Sequence, residues 1–311
     1  MESARNTFGK GFTPEDKKAV SAGIEKFKSE GLEHAEGEIE KSPEVLLVVE
    51  KISEYLNEEF QLLGIKTPAS ISADRIHIVD EEWLKKRFPG VGANGIYDPL
   101  TDSIFIKNSD QRLQSYKSMF HEAVHYASFK SYHADWKARV INPRRCGYTA
   151  YNPREAGHEH FRGLNEAVVD KTVRMILRKH QAELIRELRI GENEGRQRVS
   201  YCNEYMDVLD VIVDKIAGKK KEDRDAVWRR FQKGEFTGEM MHLRDVEEVF
   251  GKGSLRVLAA LDSGIKSSVP EETAEQNILK YFQTDDVKLR DKIAKEILME
   301  RERLQYEKIR G

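Results

Sequence analysis

Apolar residues recur at three- and four-residue intervals over much of the chain, a pattern that predicts a largely helical protein. The clearest such segment follows Ser42-Pro43, a pair suited to a helix start, and ends near Gly64. A second helical pattern begins at Asp110. It carries its apolar positions on or near one face, at Leu113, Tyr116, Phe120, Val124 and Ala127.

Further helices are predicted downstream of these two. One runs from about Leu164 towards Leu188, and the chain past Gly191 is expected to be all-helical. The predicted helices in that part cover approximately residues 200–217, 222–233, 244–261, 271–283 and 286–309.

Strand-type patterns are confined to the first half of the chain. Residues 75–80 alternate between polar and apolar, and in residues 92–108 two β-type runs, GIY and SIFI, flank the turn-forming sequence DPLTD. A short helix, EEWLKKRF, is expected between these segments. Residues 133–162 show no periodicity, which predicts a loop of about thirty residues, a length more typical of functional loops.

These patterns predict an α+β protein in three parts. Residues 1–41 are charged and lack an apolar stripe, so a frayed or loosely helical segment is expected there, one that can be flexible or act as a cover. Residues 42–217 would form the main domain, with a small mixed sheet, and residues 218–311 a mainly helical region. The sequence GKKKED at 218–223 is the expected linker.

Composition bears on whether the protein is membrane-spanning, secreted or cytoplasmic. Apolar residues make up 39% of the chain and charged residues 34%, with no apolar run long enough to span a membrane and no apolar core of a secretory signal. The two cysteines, Cys146 and Cys202, do not form a CxxC pair. A cytoplasmic protein whose thiols take no part in chemistry is therefore expected.

The net charge of −2 is unevenly distributed. Residues 1–60 contain 8 Lys and Arg against 14 Asp and Glu, whereas residues 126–190 contain 13 against 7. The basic stretch lacks the interleaved aromatic residues of RNA-binding segments, so no nucleic-acid partner is expected. It is interpreted as a solvated positive face, which the acidic N-terminal part can cover.

The sequence His121-Glu122-Ala123-Val124-His125 lies in the second predicted helix. Residues four apart share one helical face, so the two imidazoles can bind one zinc ion. Glu122, beside the first histidine, suits a general base that takes a proton from a zinc-activated water molecule. The segment after His125 reads YASFKS, which lacks the glycine and third histidine of the extended motif HExxHxxGxxH.

A third ligand must therefore come from elsewhere in the chain. In GLNEAVVDKTV, residues 163–173, Glu166 and Asp170 are again four apart on a helix. Glu166 is the favoured ligand because a helix positions it rigidly, and Asp170 can accept the outward N–H of a ligating histidine. The rivals for this ligand position lie in the preceding loop and are His160, His158, Glu155 and Glu159.

HEAVH followed by NEAVVD resembles the gluzincin metallopeptidases, and most closely the small members called minigluzincins, over about residues 70–190. The resemblance implies a zincin-like core and one zinc ion per chain, bound by His121, His125 and Glu166. It also implies that Glu122 is the general base and that Asp170 supports a histidine. The spacer of 40 residues between His125 and Glu166 is longer than in compact members of the family.

The resemblance also implies features around the zinc site. A strand upstream of the motif would border the cleft and pair with the substrate backbone, a role that Ile104, Phe105 and Ile106 can serve even if they form a buried strand. A tyrosine or histidine would stabilise the oxyanion. The candidates, between which the pattern does not choose, are Tyr148, Tyr151, His158, His160 and Tyr201.

The predicted function is that of a zinc-dependent metallopeptidase acting on peptide or protein substrates. Two alternatives stay open, a zinc hydrolase of non-peptide amides and a zinc-bearing binding or regulatory protein without catalytic activity. A third alternative is a latent enzyme whose N-terminal segment covers the cleft. His242 is expected to be structural, and the oligomeric state cannot be inferred from the pattern.

Overall fold

The computed structural model describes residues 4–7, 13–31, 33, 35, 37–89, 93–135, 140–151, 159–190, 203–261 and 274–310. Helices dominate and the sheets are small, so the predicted α+β class is confirmed. The chain forms two compact units, one of residues 1–146 and 172–201 and the other of residues 147–171 and 202–311. Neither unit ends at the expected boundary of residue 217, and the loop-rich segment 147–171 clusters with the C-terminal helices.

The first unit contains most of the strands. Its elements are β1 (Ala4–Thr7), α1 (Pro14–Glu30), α2 (Pro43–Leu62), β2 (Ile76–Val79), α3 (Glu81–Arg87), β3 (Gly95–Asp98), β4 (Ser103–Lys107), α4 (Arg112–Ala127), β5 (Lys130–Asp135) and β6 (Val140–Cys146).

The second unit is mainly helical, as predicted for the C-terminal part. Its elements are β7 (Thr149–Tyr151), β8 (Glu159–His160), α6 (Asn203–Lys220), α7 (Arg224–Thr237), α8 (Leu243–Phe250), α9 (Ser254–Leu258), α10 (Ala274–Gln283) and α11 (Val287–Arg310). The long helix α5 (Arg162–Glu187) contributes its first ten residues to this unit and the rest to the first unit. Because α6 continues to Lys220, the linker is shorter than predicted.

A three-stranded sheet positions the motif helix in the first unit. Its strand order is β2–β4–β3, with β2 parallel and β3 antiparallel to β4, so the two β-type runs that flank DPLTD form a hairpin. Helix α4 packs against β3 and β4, and its apolar residues Met119, Phe120, Ala123 and Val124 have at most 1% of their surface exposed. Burial of these residues fixes the face that α4 turns towards solvent.

The N-terminal part contains the regular helix α1, where the sequence predicted a frayed or loosely helical segment. Thr13 caps α1 through a capping box with Asp16, and Pro14 occupies the first turn. Only Val20 and Ile24, four residues apart, are buried, and they pack with Tyr132 of β5. The helical alternative of this prediction is therefore confirmed for Pro14–Glu30, and two buried positions are too few to form a recognisable apolar stripe.

The predicted loop at 133–162 also contains regular structure. β5 pairs with β1 in parallel and with β6 in an antiparallel hairpin that has a register shift between Ser131 and Tyr132. In the second unit β7 pairs with β8. These strands escaped prediction because several of their residues are charged and few bury an apolar side chain, so the usual alternation is missing.

The helices of the second unit surround one hydrophobic core. Buried residues from seven helices meet there, among them Val168 of α5, Ile212 of α6, Phe231 of α7 and Phe282 of α10. Trp228 belongs to this core, with the ammonium group of Lys171 4.6 Å from its ring centroid.

Among the described residues, no helix combines the length and the apolar character that crossing a membrane requires.

A buried carboxylate links the N-terminal part to β2. Glu38 accepts hydrogen bonds from the ammonium group of Lys41 at 2.7 Å and from the backbone N–H of Ala35 at 3.0 Å, and it lies 2.8 Å from Nδ1 of His77. Burial alone would raise the pKa of Glu38, but the hydrogen bonds from these three residues outweigh it and lower the pKa to about 2.

Glu38→Gln is expected to lower the free energy of unfolding by about 1–3 kcal/mol at pH 7. Since the pKa of Glu38 is lowered on folding, the carboxylate stabilises the protein above pH 4.5, and this contribution is lost as the pH falls towards 2. Urea unfolding at several pH values should therefore show a difference between wild type and variant that shrinks below pH 4.5. Exposed Glu40→Gln is the control, and a difference that does not change with pH would contradict the role of Glu38.

Candidate metal centre

Helix α4 brings the two motif histidines together. His121 and His125 are one turn apart, and their Nε2 atoms are 3.1 Å from each other. The rings are inclined by 71° with centroids 4.8 Å apart, so the nitrogens, rather than the ring faces, converge. His125 is buried, while His121 is partly exposed. Two imidazole nitrogens that converge in this way can bind one metal ion, and the partly exposed His121 leaves the pair accessible from solvent.

Glu166 of α5 joins this pair. One imidazole nitrogen from each histidine and one carboxylate oxygen of Glu166 all lie within 4.8 Å of one another. The neighbours of Glu166 on α5, namely Leu164, Ala167, Val168 and Val169, have no exposed surface, whereas Glu166 is partly exposed. The helix is therefore fixed by its buried residues and leaves this carboxylate accessible.

The three residues fit a zinc ion. Tetrahedral zinc with Zn–N bonds of about 2.0–2.1 Å holds two nitrogens about 3.3 Å apart, close to the separation of the Nε2 atoms in the structure. Two imidazoles and one carboxylate are also the protein ligands of a common class of catalytic zinc site, which leaves a fourth position open. The donor set thus favours zinc in a catalytic rather than a structural role.

Glu122 lies beside this group, on the same helix, and is 8% exposed. Its side chain is in contact with the backbone of Gly95 at the start of β3. A Cβ atom at position 95 would be 2.9 Å from Cγ and 3.3 Å from Oε1 of Glu122, too close for an unshifted side chain. Gly95 is therefore a residue of the site that the motif does not include, and a glycine inside a strand was the available signal.

Asp170 has no exposed surface and lies one turn after Glu166 on α5. A fully buried carboxylate requires hydrogen-bond partners. Support of a ligating histidine by Asp170 stays a prediction.

The structure separates two rival ligands from the metal group. His160 accepts a hydrogen bond from the guanidinium group of Arg301, and Glu159 lies 3.6 Å from Arg162. Among the described residues, the potential metal-binding group comprises His121, His125 and Glu166 alone. The other two rivals, His158 and Glu155, lie outside the described residues.

Tyr148 is the wrong choice for an oxyanion-stabilising residue. It is completely buried, and its hydroxyl lies 2.8 Å from the carbonyl oxygen of Phe231 and 2.6 Å from Nε2 of His242. His242 is thus a buried hydrogen-bond partner, as its predicted structural role implies. Tyr151 is partly buried and stays a candidate, whereas His158 and Tyr201 lie outside the described residues.

The thiol of Cys146 is buried and unoxidised, and it lies 3.9 Å from the carbonyl oxygen of His125. This carbonyl belongs to the backbone of α4. That Cys146 takes no part in chemistry stays a prediction. Cys202 lies outside the described residues.

Metal analysis tests the three ligands directly. Purified wild type is expected to contain about one zinc ion per chain, and Glu166→Ala is expected to weaken zinc affinity by more than about a hundredfold, since even a supporting residue contributes up to that amount. Glu159→Ala and His160→Ala are matched controls that should keep their zinc. Full zinc content in Glu166→Ala together with loss in His160→Ala would assign the third ligand to His160.

Comparison of the chain with protein-family models, with curated proteins and with solved structures gives no match. The chemistry proposed for the chain therefore rests on the grouping of His121, His125 and Glu166 and on Glu122, which follows His121 directly in the sequence.

Proposed function

We propose that this chain is a zinc-dependent metallopeptidase with a zincin-like core of the gluzincin type. The observation that carries the proposal is the convergence of His121, His125 and Glu166. The neighbouring Glu122 distinguishes a catalytic site from a purely structural one, because a structural zinc site needs no additional carboxylate beside it.

Zinc, when bound, would supply a Lewis acid that polarises the scissile carbonyl and lowers the pKa of a water molecule to about 7. His121, His125 and Glu166 would hold it. Glu122 would accept the proton of the attacking water and then deliver it to the leaving amine nitrogen. The missing Cβ atom at Gly95 leaves the space that the Glu122 side chain occupies, so β3 would help to position the carboxylate for this proton transfer.

Strand β3 is the best place for the substrate backbone. β4 is paired on both edges, with β2 and β3, so the prediction that Ile104, Phe105 and Ile106 offer backbone groups to a substrate is wrong. In the part of the chain that the structure describes, β3 is the terminal strand of this sheet, and its other edge is available to an extended peptide. A peptide added there would run past Gly95 and hence near Glu122.

Replacement of Glu122 by Gln tests the general base. The variant should retain zinc and lose hydrolysis of casein or of a peptide library by at least about a hundredfold, since the amide cannot accept the proton. An active Gln variant would refute the role of Glu122. Wild type that binds zinc but cleaves only small amides, or nothing at all, would instead favour the non-peptide hydrolase or the non-catalytic alternative.

Gly95→Ala tests the contact between β3 and Glu122. The added methyl group must displace the Glu122 side chain, so kcat is expected to fall by about tenfold or more while zinc content is unchanged. Gly218→Ala is the matched control, because a Cβ atom there has no neighbour within 4 Å. Equal activity of the two variants in a peptide-cleavage assay would show that the position of Glu122 does not depend on Gly95.

A further inference from the structure

The second unit contains a cavity of about 440 Å³ with a positively charged side. It lies among β7, β8, α9 and α11, and its volume falls within the range of small-molecule pockets, roughly 300–1,000 Å³. Its charged and titratable lining residues are His160, Arg256, Arg301 and Glu302. None of these belongs to the proposed metal group.

The two arginines lack acidic partners. Within the described ranges, neither Arg256 nor Arg301 forms an ion pair, and Glu302, although it lines the cavity, does not pair with them. Arg301 donates a hydrogen bond to Nδ1 of His160. A histidine side chain carries no negative charge, so His160 does not neutralise the guanidinium group of Arg301.

Two guanidinium groups that line one cavity repel each other. Burial, and after it the positive charge of Arg256, lowers the pKa of Arg301 below its usual range. A guanidinium group stays protonated in proteins, so the repulsion is not removed by loss of a proton. An anion between the two groups would remove it.

The rest of the lining is apolar and comes from Phe161, Leu255 and Leu298, among others. An inorganic anion would leave these side chains unused, whereas a ligand with a nonpolar body would bury them. Guanidinium groups bind planar carboxylates through paired N–H donors. The side of the cavity with the arginines thus suits a carboxylate, and the apolar side suits a nonpolar group.

We propose that this cavity binds a small organic anion, with its carboxylate on Arg256 and Arg301 and its nonpolar body against Leu255 and Leu298. The site is independent of the proposed peptidase activity, because it uses no residue of the metal group. It also assigns His160 a role as the residue that orients Arg301.

Isothermal titration calorimetry of the full chain with hexanoate tests the proposal. Hexanoate should bind with a measurable Kd. Hexan-1-ol, which lacks the charge, and inorganic phosphate, which lacks the nonpolar body, should each bind at least tenfold more weakly. Equal binding of hexan-1-ol would refute the role of the arginines, and equal binding of phosphate would refute the role of the apolar wall.

Three glutamine variants assign the binding to this cavity. Arg256→Gln and Arg301→Gln should each raise the Kd of hexanoate by about ten- to a hundredfold. Arg303→Gln removes the same charge from α11 at a residue that pairs with Glu300, and it should leave the Kd unchanged. Arg256 is exposed, so its variant is expected to fold even if Arg301→Gln does not, which thermal unfolding would reveal. Unchanged binding by folded Arg256→Gln would overturn the proposal.

Discussion

Helix α4 is held against β3 and β4 by side chains that are almost completely buried, and the proposed chemistry depends on this packing. A close-packed helix cannot rotate or slide without opening cavities. The direction of His121 and His125 is therefore fixed by the apolar residues between and before them rather than by any metal. Preformed ligands of this kind bind a metal ion without first paying the entropic cost of ordering a loop.

Beside α4 the same packing buries a charged residue, Lys130, which therefore needs compensating partners. Lys130 is 4% exposed and pairs with Asp102, which also accepts a hydrogen bond from Tyr97 at 2.7 Å. Burial alone would raise the pKa of Asp102, but the charge of Lys130 and these hydrogen bonds lower it. The ammonium group also lies 4.5 Å from the ring centroid of Tyr126 in α4. A buried charge is tolerated here because ionic, hydrogen-bond and cation–π partners surround it.

Periodicity and spacing predicted the elements that bury a continuous apolar face, such as α4 and the hairpin of β3 and β4. They also predicted that His121 and His125 share one face, because a spacing of four residues on a helix determines side-chain direction. Glu166, which the structure groups with them, was favoured over its rivals because it lies on a helix and because of the resemblance. The strands β5 to β8 were missed, since backbone pairing rather than burial of alternating side chains forms them. Gly95 was missed as well, because close approach between a strand and a helix is a tertiary property that no local pattern records.

The contact between Gly95 and Glu122 bears on how a peptidase of this design would select its substrates. A peptide added to the edge of β3 that has no partner strand among the described residues would lie about 4.8 Å from that strand, a spacing set by main-chain hydrogen bonds. The distance from the substrate to the carboxylate is then determined by sheet geometry, whatever side chains the peptide carries. Such an enzyme recognises extended main chain first, and broad tolerance of amino-acid sequence at the cleavage point is the natural result.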